Sequence, residues 1–162
     1  MAVRAVHESR PHPAPGRAAV EYLRILVPLA HRPGSEEAMA IACQLAADRR
    51  ATVTATTIVE VPAELPLDAE MGAEDAEARG LLRHAAAIAD LNGVKVQTHV
   101  LRGRAAGERI VEEALAAQSE IVVLAAPRRR RAAPTTPVFG RTVDYVLKHS
   151  PCRVLVTTPV SA

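Results

Sequence analysis

The sequence predicts an α/β fold, an open parallel sheet of five strands with helices on both faces. Three observations predict it. Five short runs are apolar or β-branched enough to be strands, four intervening segments carry apolar residues at helical spacing, and the two kinds alternate strictly. Alternation with short links requires crossover connections, which are right-handed in such sheets.

"LRILVPL", Leu23 to Leu29, is a short apolar run bounded by turn residues, as expected of a strand buried on both faces. "AHRPG" then breaks the chain. Ser35 is placed to cap a helix whose first turn carries Glu36 and Glu37 at the positive end of the dipole. Ala38, Ile41, Ala42 and Leu45 follow on one face, and Arg49 and Arg50 suit the negative terminus. "ATVTATTIVEV" is β-branched and makes the second strand, which Pro62 and Pro66 close because neither can donate into a ladder. From Glu70 to Leu91, the residues Ala78, Leu81, Leu82, Ala85, Ile88 and Ala89 recur at helical spacing, with Asn92 and Gly93 as the C-cap.

"VKVQTHVL" alternates as the third strand, and Gly103 turns it. Ile110, Val111, Ala114 and Leu115 mark the third helix, and "EIVVLAA" is the fourth strand, buried on both faces. Phe139, Val143, Val146 and Leu147 line a fourth helix that Ser150 and Pro151 stop, before "CRVLVTT" makes the fifth strand.

A chain of 162 residues is long enough for one core and short for two, so residues 22–162 read as a single domain. Residues 1–21 are polar and proline-rich and read as a disordered or loosely packed tail. The net charge of +2 is concentrated in Arg128 to Arg131 rather than spread along a face. Tyr22, Phe139 and Tyr145 are the only aromatics, so the stacking platforms of single-strand readers are missing and no nucleic-acid partner is expected. Cys43 and Cys152 have neither CxxC nor CxxH spacing, which leaves them as small buried residues of a cytoplasmic protein. No apolar stretch approaches the roughly 20 residues of a membrane span, and direct membrane insertion is not expected.

In an open parallel sheet, ligands bind outside the carboxyl ends of the strands where the strand order reverses. The loops of interest are therefore Ala30 to Gly34, Glu60 to Ala69 and Pro127 to Val138.

"RILVPLAHRPGSEEAMAIACQLA", "RGRAAGERIVEEA", "IVVLAAP" and above all "VFGRTVDYVLKHSPCRVLV" resemble the universal stress protein (UspA-like) family, over roughly Arg24 to Thr158. The chain is also similar to the universal stress protein-like domains appended to some amino-acid permeases, which suggests a membrane transporter as a partner. The resemblance implies a Rossmann-like sheet ordered 3-2-1-4-5 and a homodimer formed through the fifth strands. In one branch of the family it implies bound ATP or AMP. That branch holds the phosphates on a loop of three glycines followed by Ser or Thr, and the nucleoside on an acidic residue after the first strand.

Here Pro127 and Arg130 stand at the first two glycine positions, Gly140 at the third, Arg141 at the hydroxyl position and Ala30 at the acidic one. Thr142 offers a hydroxyl one residue late. The candidate cofactor-binding residues are Leu29, Ala30, Val59, Pro127, Arg128, Arg130, Gly140, Arg141 and Thr142.

A phosphate nest needs glycine because the backbone must approach the oxygens closely, often at positive φ, and proline excludes that conformation. The loop is thus a degenerate nucleotide-binding loop. Two readings of Arg128 to Arg131 stay open: a solvated surface loop, or guanidinium groups replacing the glycine cradle for ATP, AMP or a cyclic nucleotide. His31, His84, His99 and His149 fall one per element with no carboxylate at ligand spacing, and no GxSxG elbow surrounds Ser35. No catalytic residue and no metal ligand is therefore assigned. Glu60, Glu64, Asp68 and Glu70 border the expected cleft, where they could meet a ribose or repel an anion. The fifth strand, Arg153 to Thr158, is an edge that a second copy of the chain would cover.

Overall fold

The computed structural model describes residues 21–47, 49–127 and 138–159. Along them run β1 (Arg24–Leu29), α1 (Ser35–Ala46), β2 (Thr52–Glu60), α2 (Gly72–Leu91), β3 (Val96–Gly103), α3 (Ala106–Ala116), β4 (Ile121–Ala125), α4 (Arg141–His149) and β5 (Arg153–Thr157). All neighbouring strands pair in parallel, in the order β3-β2-β1-β4-β5. This is the fold the sequence predicts. Of the proposed opening tail, only Glu21 lies within the described residues.

Successive strand residues point to opposite faces, and this divides the core in two. Ile25, Val27 and Leu29 of β1, with Ile121, Val123 and Ala125 of β4, pack against Met39 and Cys43 of α1 and Leu82 and Ala85 of α2. Leu26, Val122 and Leu124 face the other way, onto Ile110 and Ala114 of α3 and Val143 and Val146 of α4. Because both faces are covered, β4 is buried along its whole length and reads as an unbroken apolar run.

Local details depart from the sequence reading at the helix ends. Gly34, at φ 93, takes the cap position of α1, and Ser35 is the first helical residue. The Ser35 hydroxyl instead donates to the Ala30 carbonyl at 2.7 Å, closing the β1–α1 turn on itself. Helix α1 ends at Ala46, so Arg49 and Arg50 lie beyond it and its last turn carries no basic residue. Phe139 precedes α4 and Leu147 is 45% exposed, leaving Val143 and Val146 as its buried residues.

The end of α2 follows the sequence reading. Asn92 is the C-cap and Gly93 follows at φ 65. The Val94 amide reaches back to the Ala89 carbonyl at 3.0 Å and the Gly93 amide to Asp90 at 3.1 Å, the two bonds of a Schellman motif.

Candidate functional site

The switch point lies between β1 and β4, and the sequence of β1 opens it. Pro28 has no N–H to give to a ladder. The β1–β4 register runs only over Ile25↔Ile121 and Leu26↔Val122, stopping before Pro28, although β4 continues to Ala125 and β1–β2 pairing continues to Leu29↔Thr57. The carboxyl ends of the two central strands therefore part, and a cleft of about 70 Å³ forms there. Pro28, Leu29 and Ala30 line one side, Leu124 and Ala125 the other. Ile58 of β2, Ala106 and Ile110 of α3, and Thr142 and Val143 of α4 close it.

Among the described residues, Arg32 is the one charged residue in that lining. Glu60, a candidate for ribose contact, is occupied elsewhere: its carboxylate accepts the Ala106 amide at 2.7 Å and so caps α3, whose own cap residue Ala105 has no side chain able to do so. At α4, Gly140 adopts φ 84 and the first helical bond runs from the Asp144 amide to the Gly140 carbonyl at 3.0 Å. The amides of Arg141 and Thr142 precede that bond, so the positive end of the α4 dipole lies at the cleft.

The predicted site residues separate in space. Leu29, Ala30 and Thr142 line the cleft together. Pro127 and Gly140 meet beside one another, since a Cβ on Gly140 would stand 3.2 Å from Pro127 Cγ. Val59 is buried at 4% exposure outside the lining, where its neighbour Ile58 takes the place expected of it. Arg141 is exposed and outside the lining. Arg128 and Arg130 lie outside the described residues. Arg32 falls in the Ala30 to Gly34 loop that the sequence singled out, whereas Ile58, Ala106, Ile110 and Val143 escaped the sequence reading; the period-two alternation of β2 carried a signal for Ile58, and the others are brought in by packing.

Three histidines find carboxylates across elements, which linear spacing did not reveal. His31 Nδ1 is 3.5 Å from Glu77, His84 Nε2 is 3.0 Å from Glu36, and His99 Nδ1 is 3.3 Å from Glu113. Arg109 also reaches Glu113, at 3.6 Å. Burial pushes the Cys43 thiol above its usual pKa, which keeps it protonated and unreactive in the core.

The sequence matches the model of the universal stress protein family over residues 21–158. The chain belongs to the universal stress protein family. Comparison with curated proteins finds no match. Among solved structures, this universal stress protein is similar to one in complex with cAMP (18% identity, TM-score 0.70, covering 87% of this chain and 100% of that one). It is also similar to one from Archaeoglobus fulgidus in complex with dAMP (17% identity, TM-score 0.66, 85% and 98% covered). A third, from Lactobacillus plantarum, is 25% identical with a TM-score of 0.58, covering 85% and 98%.

Proposed function

We propose that this universal stress protein is a homodimeric, cytoplasmic regulatory module of the stress response that acts by binding rather than by catalysis. The observation that carries the reading is the cleft itself. It keeps the position of a ligand site in an open parallel sheet, yet its lining is mostly apolar among the described residues, Ala30 supplies no carboxylate, and Pro127 abuts Gly140 where a glycine loop would cradle phosphate. The edge strand β5 supports the dimer, since Leu155 is 37% exposed on it and its outer backbone groups face no other strand among the described residues. Sedimentation at micromolar concentration tests this: a dimer that Leu155→Arg dissociates is expected, and a monomeric mass for the unaltered protein overturns it.

A second reading is favoured by the α4 terminus. Its first amides, the Thr142 hydroxyl and Arg32 offer donors for an anion, and the structural relatives with cAMP and dAMP support an AMP-type ligand. In this reading Arg128 and Arg130 take over from the missing glycines for ATP, AMP or a cyclic nucleotide. Calorimetric titration with ATP, AMP and cAMP at low and moderate salt decides it. Binding that disappears in Arg128→Ala/Arg130→Ala establishes the arginine site, and silence with every nucleotide leaves dimerisation and partner contacts as the function. A membrane transporter as the regulated partner rests on the likeness to permease-appended domains, and co-purification of a transporter with the tagged full chain tests it.

A further inference from the structure

A second cavity lies on the opposite face of the sheet, where α1, α2 and the β1–α1 turn meet. Its volume is about 330 Å³, within the roughly 300–1,000 Å³ of small-molecule sites and several times that of the β1–β4 cleft. The inner wall is apolar: Leu29, Met39 and Ala85 are buried, and Leu81 and Ile88 complete it. The rim is polar and carries His31, Arg32, Glu36 and His84.

The charges on that rim are not equivalent. Glu36 is paired with His84 at 3.0 Å, and His31 reaches Glu77 of α2 at 3.5 Å, so each histidine has a carboxylate. Arg32 has no carboxylate within ion-pair distance among the described residues. An apolar chamber with one uncompensated guanidinium at its mouth selects for a molecule of matching polarity. A polyanion would place charge against Met39 and Ile88 without partners, at a large desolvation cost. A single carboxylate on Arg32 makes a charge-assisted, bidentate pair while an apolar body fills the chamber.

We propose that this pocket binds a small amphipathic monocarboxylate, with its apolar body against Met39, Leu81 and Ile88 and its carboxylate on Arg32. The pocket is a space distinct from the β1–β4 cleft, although an anion in the cleft that engages Arg32 competes with the carboxylate for it. The two are nonetheless adjacent, because Leu29, Ala30, Arg32 and Ser35 line both. A ligand here acts on the turn that shapes the cleft.

The test is a titration of the full chain, labelled with ¹⁵N, with 4-phenylbutyrate and with its neutral twin 4-phenyl-1-butanol. Saturable amide shifts confined to residues 29–39 and 81–88 are expected for the acid. Arg32→Ala, an exposed position whose folded spectrum verifies the variant, is expected to weaken the acid about tenfold and leave the alcohol unchanged. The proposal is overturned if no saturable shift occurs in those two segments, if the shifts centre instead on Ala106 and Thr142, or if folded Arg32→Ala binds the acid as well as the unaltered protein.

Discussion

Gly107 of α3 faces Tyr145 of α4 so closely that a Cβ on the glycine would stand 2.9 Å from the Tyr145 Cβ. The obstruction is the root of the tyrosine side chain rather than its flexible end, and it cannot rotate away. The Tyr145 ring is held as well, stacked on His149 with centroids 4.0 Å apart. Gly107→Ala would gain about 1 kcal/mol of helix propensity but incur an overpacking cost of roughly 1–3 kcal/mol. Net destabilisation is expected, by up to about 2 kcal/mol, and urea unfolding measures it. Stability equal to or above that of the unaltered protein would show that α3 and α4 can separate freely.

Gly140 is constrained by its backbone. At φ 84 and ψ 162 it occupies a region that other residues scarcely enter, with Pro127 against the space a side chain would use. Gly140→Ala is expected to cost about 1–3 kcal/mol and to displace the amino end of α4 from the cleft. A fall in melting temperature, together with amide shifts at Thr142 and Val143, would show both effects; an unchanged melting curve would contradict the first.

Glu120, just before β4, ties down the start of β1. Its carboxylate accepts the amides of Leu23 at 2.5 Å and Arg24 at 3.1 Å, and the Arg24 guanidinium at 3.1 Å. The Leu23 amide, then the Arg24 amide and the Arg24 charge, hold its pKa below the usual glutamate value of 4.5. A depressed carboxylate pKa contributes stability that is present above the unfolded value and lost as pH falls through the folded one. The melting temperature of Glu120→Gln is therefore expected to lie below that of the unaltered protein at pH 7. That gap should narrow as the pH is taken below 4.5, because protonation removes the same charge. A gap of constant size across that range would refute the assignment.

Gln118, just past the Ala117 C-cap of α3, adopts φ 49, a left-handed conformation that favours glycine. The surrounding bonds use no side-chain atom of Gln118: the Ser119 amide donates to the Ala114 carbonyl at 2.9 Å, the Gln118 amide to the Leu115 carbonyl at 3.1 Å, and the Arg24 side-chain Nε to the Gln118 carbonyl at 2.7 Å. Gln118→Gly keeps them all and relieves the strain. Part of that gain is offset by the greater entropy of glycine in the unfolded chain, leaving a stabilisation of about 0.5–1 kcal/mol. Chemical denaturation checks the sign.

The sequence by itself determined the fold class, the alternation of elements, and the Asn92–Gly93 end of α2, because each depends on residues only a few positions apart. A strand declares itself by its apolar or β-branched run, a helix by its three- and four-residue spacing. The tertiary structure decided what depends on distant segments meeting. Ala105 signals no cap, and α3 is capped by Glu60 from the end of β2. His31 and His84 are isolated in sequence but face Glu77 and Glu36 once α1 and α2 pack together. Pro28 looks like an interruption of β1, and only its place beside β4 makes it the point where the cleft opens. Local spacing is written along the chain, whereas caps, ion pairs and cavities arise from the register in which remote segments are brought together by a shared core.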